Sequence, residues 1–106
     1  MIVREWRAHA IAARERDYID YFRRKVLADL GAVDGYLGAS VLREQRSGDI
    51  EIVVLTRWAS MDAIRKFAGD EVEEAVVHPE AAAMLKNFDR IVRHYEVVVD
   101  TSSAMP

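Results

Sequence analysis

The chain has 106 residues, with 15 Lys and Arg against 18 Asp and Glu, three His and no Cys. Without Cys there is no disulfide framework, thiolate zinc site, Cys-held iron–sulfur cluster or Cys nucleophile, and a chain of this length buries roughly 65% of its unfolded surface, enough for one unstapled domain. A net charge of -3 argues against a basic grip on nucleic acid or anionic lipid, and the charged start Met1-Ile2-Val3-Arg4-Glu5-Trp6-Arg7 has no signal-peptide core. With no run of the roughly 18 apolar residues that a membrane span needs, the expected location is cytoplasmic.

Ile2 to His9 interleaves Ile, Val and Trp with charged residues, as in a strand with one better-buried face. From Ala12 to Leu30, Tyr18, Ile19, Phe22, Val26, Leu27 and Leu30 recur at spacings that predict an amphipathic helix, stopped by Gly31 and followed by an Asp34-Gly35 turn. Tyr36–Glu44 and Ile50–Trp58 read as two antiparallel strands around the Gln45–Asp49 loop. Ile52-Val53-Val54-Leu55 is apolar on both faces, so the third strand is expected to be central and to need cover on both sides, which a second copy of the chain would supply.

Ser60 is placed to cap a short helix whose stripe, Met61, Ile64, Phe67 and Ala68, ends at Gly69. Asp70 to Val77 reads as a further helical turn, Pro79 to Lys86 as another helix with His78 just outside it, and Phe88 to Val99 as a last strand. Asp100 to Pro106 is expected to be a flexible tail. The order βαββαβ predicts an α+β, ferredoxin-like fold with an antiparallel sheet and helices on one face.

Three stretches carry a family resemblance: Val53-Val54-Leu55-Thr56-Arg57-Trp58-Ala59-Ser60-Met61-Asp62-Ala63-Ile64, Lys66-Phe67-Ala68-Gly69-Asp70, and His94-Tyr95-Glu96-Val97. The chain resembles the antibiotic biosynthesis monooxygenase family of dimeric α/β barrels, over one domain at residues 1–99. The resemblance implies a homodimer with sheets facing each other, and in each protomer a pocket between sheet and helices. It also implies oxygenation of phenolic or quinol-like molecules with molecular oxygen and no cofactor. Haem-degrading members pair an Asn on the first strand with a Trp and a His on the second helical segment. Here the first strand offers Arg4, Trp6 and Arg7, the Trp position aligns with Phe67, and His78 falls near the His position after a one-residue shift, so haem degradation is the less expected activity.

Within that frame His78 is the first catalytic candidate, because an imidazole titrates near neutral pH and can take a phenolic proton; the plain alternative is an exposed residue ahead of Pro79. His94, the second, lies in the last strand, where a buried structural role competes with a pocket role, and His9 is expected to be solvated. Trp6, Tyr36, Trp58 and Phe67 are candidates for lining a flat aromatic pocket, with Arg4 to stabilise an oxyanion, against the alternative of ordinary core or interface packing. No His pair has helix-face ligand spacing and Asp70, Glu71, Glu73 and Glu74 lack the calcium-loop pattern, so no metal site is expected. The chain is expected to be either a cofactor-independent monooxygenase for a small aromatic molecule or a non-catalytic dimeric binding or accessory domain. An RNA-binding module is disfavoured by charge and by a third strand without exposed aromatics.

Overall fold

The computed structural model describes residues 1–101, so positions 102–106, most of the expected tail, lie outside the described residues. Strands β1 (Ile2–Ala10), β2 (Tyr36–Arg46), β3 (Asp49–Trp58), β4 (Leu85–Phe88) and β5 (Arg93–Glu96) form one sheet. Its order is β2-β3-β1-β4, with β5 also on β1, and every pairing is antiparallel. Helices α1 (Glu15–Tyr21), α2 (Leu27–Gly31), α3 (Met61–Ala68) and α4 (Pro79–Ala82) complete the α+β, ferredoxin-like arrangement.

The alternation of β3 explains its central place. Ile50, Ile52, Val54, Thr56 and Trp58 are buried towards the helices, while Glu51, Val53, Leu55 and Arg57 point to the other face and are half-buried. Val3 of β1 and Leu42 of β2 join that outer face by register, and Tyr95 of β5 lies opposite Val3, with Leu42 and Tyr95 exposed. The chain therefore leaves part of its second sheet face apolar and open.

The helix expected from Ala12 to Leu30 is continuous but not uniform. A 3-10 turn at Ala12–Arg14 leads into α1, and a π-helical stretch, Phe22–Val26, separates α1 from α2. Ser60 caps α3 as expected, its hydroxyl accepting from the Ala63 N–H at 3.1 Å. Gly35, at φ 95°, brings the turn after α2 against α3 so closely that a Cβ there would lie 2.6 Å from Ala63 Cβ.

Three expectations in the last third are corrected. Asp70 to Val77 is not helical: its backbone pairs outward, with Glu74 bridging Ile91, the Ala75 N–H donating to Arg90 O at 2.8 Å, and the Val92 N–H donating to Glu73 O at 2.7 Å. The helix expected from Pro79 to Lys86 stops at Ala82, because Leu85 is drawn into the sheet opposite Ala10. The strand expected from Phe88 to Val99 is interrupted, with Phe88 ending β4 and Arg93–Glu96 forming β5, since residues 90–92 turn away to pair with 73–75.

Candidate active site

A cavity of about 80 Å³, open on one side, lies between the helix-facing side of the sheet and the helices. β1 supplies Arg4 and Trp6, α3 supplies Phe67, and the segment before α4 supplies Val76, Val77 and His78. Four of the seven candidate site residues, Arg4, Trp6, Phe67 and His78, thus meet around one space.

Arg4 is only 5% exposed. One terminal nitrogen, Nη1, donates to Val72 O at 2.6 Å and lies 3.0 Å from His94 Nε2, while Nη2 donates to Glu74 O at 2.8 Å. The guanidinium carbon stands 5.9 Å from the centre of the Phe67 ring. Among the described residues no carboxylate pairs with it. Burial lowers its pKa to about 10, and the charge of Glu73 opposes that shift. A guanidinium has no acceptor, so His94 Nε2 accepts and the neutral ring carries its proton on Nδ1. Burial first, then Arg4, lowers the His94 pKa, against the pull of Glu73. His94 is held opposite Arg4 by the register of β5 and does not line the cavity.

His78 precedes Pro79 with extended backbone and makes no side-chain cap bond to α4. His78 is an exposed residue at the border of the cavity, as the plain alternative expected, and its side chain is not engaged in closing the helix end. Trp6 spans the wall, its indole N–H donating to Asp89 O at 2.8 Å and its ring 6.5 Å from Tyr18 and 6.2 Å from Phe88.

The other two aromatic candidates are elsewhere. Trp58 is 0% exposed, donates to Thr56 Oγ1 at 2.8 Å and lies 5.6 Å from both Tyr36 and Phe67. Trp58 is core and the half-buried Tyr36 packs against it; neither lines the cavity. His9, expected to be solvated, is half-buried with Nδ1 2.7 Å from Asp49.

Tyr18, Tyr21 and Phe22, from α1 and the start of the π-helical stretch, also line the cavity and were not among the candidates. Both tyrosines are 3% exposed, and among the described residues neither hydroxyl has a hydrogen-bond partner. Because no fully enclosed side-chain oxygen is left without a partner, each hydroxyl must reach free space. Burial pushes the Tyr18 phenol far above its ordinary value, and Tyr21 is raised by burial with Glu80 and Asp29 adding to the shift. Both remain neutral O–H donors. A tyrosine on an apolar helix stripe is the signal that could have found Tyr18. Among the described residues no group of three or more His, Asp or Glu is placed to hold a metal ion, and no helix is long and apolar enough to cross a membrane.

The antibiotic biosynthesis monooxygenase profile matches residues 1–79, about three quarters of the chain. The chain belongs to this family. Solved structures similar to this antibiotic biosynthesis monooxygenase family member include the haem degrader MhuD from Mycobacterium tuberculosis with two haems in its active site, at TM-score 0.65 and 20% identity, covering 94% of this chain and 98% of that one. SnoaB, a cofactor-independent oxygenase from Streptomyces nogalater, is similar at TM-score 0.60 and 16% identity, covering 95% and 94%. No curated protein matches the chain. At these identities the structural likeness speaks for the fold.

Proposed function

We propose that the chain is a cofactor-independent monooxygenase that oxidises a small aromatic or quinol-like substrate with molecular oxygen, acting in the cytoplasm as a homodimer. The observation that carries this reading is the meeting of aromatic walls, a buried cation and an uncommitted imidazole in one cavity. His78 takes a phenolic proton, and Arg4 faces the oxygen left charged. The ionised ring is then electron-rich enough to reduce oxygen itself: one oxygen atom enters the substrate, the other leaves as water, and all electrons come from the substrate. His94, proposed beside His78 as catalytic, spends its acceptor nitrogen on Arg4, which favours His78 as the base.

Oxygen uptake with an anthrone or a quinol tests the reading. His78→Ala is expected to reduce turnover by roughly 10² to 10⁴, as for a lost general base, with little change in melting temperature. Reduced stability with turnover per folded molecule preserved would make His78 structural. A wild-type protein that consumes no oxygen with any electron-rich aromatic would leave the accessory-domain reading in its place. The open apolar part of the outer sheet face, Val3, Leu42, Val53, Leu55 and Tyr95, supports the homodimer. Sedimentation should give twice the 12.1 kDa of one chain, and a monomer at micromolar concentration would contradict it.

Haem degradation is not proposed, because the first strand presents Arg4 and Trp6 to the cavity and α3 presents Phe67.

A further inference from the structure

Arg4 is a buried cation with no carboxylate among the described residues within hydrogen-bond reach, Glu73 acting on it only from further away. Its guanidinium contacts are two backbone carbonyls and a neutral imidazole, and among the described residues no carboxylate reaches it. A charge taken out of water without a counter-charge costs several kcal/mol, and five N–H groups offer more donors than these three contacts use. The Nε–H and one Nη2–H remain. No enclosed side-chain nitrogen lacks a partner, so Nε must reach free space, and the cavity is the free space that Arg4 borders.

The same cavity is lined by Tyr18 and Tyr21, whose hydroxyls have no partner among the described residues and are kept as O–H donors. Thr56 has its hydroxyl oxygen occupied by Trp58. The one carboxylate in the lining is Asp29, half-buried and 3.5 Å from the Lys25 ammonium on the next turn of helix. Asp29 and Glu80 lie on the Tyr21 side of the cavity, each beside a cation, Lys25 and Arg24, so that side carries no net charge. Positive charge belongs to the Arg4 side.

We infer that the cavity is a site for an aromatic molecule carrying one anionic oxygen group, a carboxylate or an ionised phenol or enol, with that group on Arg4 and its uncharged end towards Tyr21 and Asp29. The inference rests on reading the cavity as the substrate site and adds the charge of the substrate to that reading. An acceptor-only group meets donors on the Arg4 side, and a ligand bringing the missing charge recovers part of what burying the guanidinium costs.

Fluorescence titration through Trp6 tests this with two isosteric probes, 2-naphthoate and neutral 2-naphthamide, on the full-length wild-type protein at pH 7.5. The naphthoate is expected to bind about 10-fold or more tightly, the margin of a charge-assisted over a neutral hydrogen bond. Arg4→Gln should bring the two within about 3-fold of each other, with naphthamide affinity nearly unchanged. Equal binding of both probes to the wild type, preference for naphthamide, or no binding of either at millimolar concentration overturns the anion site, and this comparison does not depend on the variant folding. 2-Naphthol, titrated below and above its solution pKa, separates the phenolate from the carboxylate source: ionisation of the bound probe at lower pH than in water supports the phenolate. Oxygen uptake is measured on the same preparations. Anion preference without uptake upholds the site and removes the monooxygenase reading; uptake with no anion preference removes the site alone.

Discussion

The helix-facing side of the sheet has two halves built from the same residue types with opposite outcomes. Around Trp58, the rings of Tyr36 and Phe67 close in at 5.6 Å and the indole N–H is satisfied by Thr56 Oγ1. Around Trp6, the rings of Tyr18 and Phe88 stand 6.5 and 6.2 Å away, two tyrosine hydroxyls have no partner among the described residues, and a cation lies in the wall. What separates a core from a site is therefore the number of polar groups left for something else to satisfy. Aromatic content does not distinguish them.

The comparison breaks first at the filled half. Trp58→Ala should cost about 3–5 kcal/mol, as for a large buried aromatic, read by urea unfolding, whereas a loss below about 1 kcal/mol would mean that this half is looser than its geometry. Deleting one hydroxyl from each half gives the sharper contrast. Thr56→Val strands the buried Trp58 N–H and should cost about 1–3 kcal/mol. Tyr18→Phe removes a hydroxyl that has no partner among the described residues, and stability should move by no more than about 0.5 kcal/mol. Equal losses from the two would erase the distinction.

The smallest effect expected is one of pH. The His94 pKa is lower in the folded protein than in the unfolded chain, so below the unfolded value of about 6.5 the unfolded state binds more protons. Its contribution is fully present above that pH and is lost as pH falls through the folded pKa. Thermal scans from pH 7.5 to 5 should show a drop in melting temperature that His94→Gln, an uncharged acceptor for Arg4, makes shallower. An unchanged acid limb would show that protonating His94 leaves Arg4 undisturbed.

How much of this was legible in the sequence depended on where each segment finds its partners. β1, the β2–β3 hairpin and the Ser60 cap are decided by neighbours in the chain, by alternation, a Ser-Gly-Asp loop and one hydroxyl, and all were readable. Asp70–Val77 was not. Its composition is compatible with a helix, but its carbonyls at Val72 and Glu74 are claimed by an arginine 68 and 70 positions away, and its other bonds by residues 90–92. The split of the last strand follows from the same pairing. In the site, Arg4, Trp6, Phe67 and His78 could be named from residue type and position, whereas Trp58, in the core, and Tyr36, half-buried against it, shared that type and do not line the cavity. Tyr21 lay off the stripe read from the sequence, and no pattern announces the π-helical turn from Phe22 that carries the helix past the cavity.

β5 is four residues long and pairs with β1 so that His94 lies across from Arg4 and Arg93 across from Glu5. A strand this short has few ladder bonds to hold its alignment, yet sliding it by one residue would exchange its faces and set Arg93 or Tyr95 against Arg4 in place of the imidazole. Arg93 there would bring two guanidinium groups together in a buried setting, an arrangement that like-charge repulsion forbids. Side-chain charge thus acts as a proofreader of strand alignment in one direction: inserting a single residue between Asp89 and Arg93 would set Arg93 against Arg4 and be rejected there before it could be absorbed by the sheet.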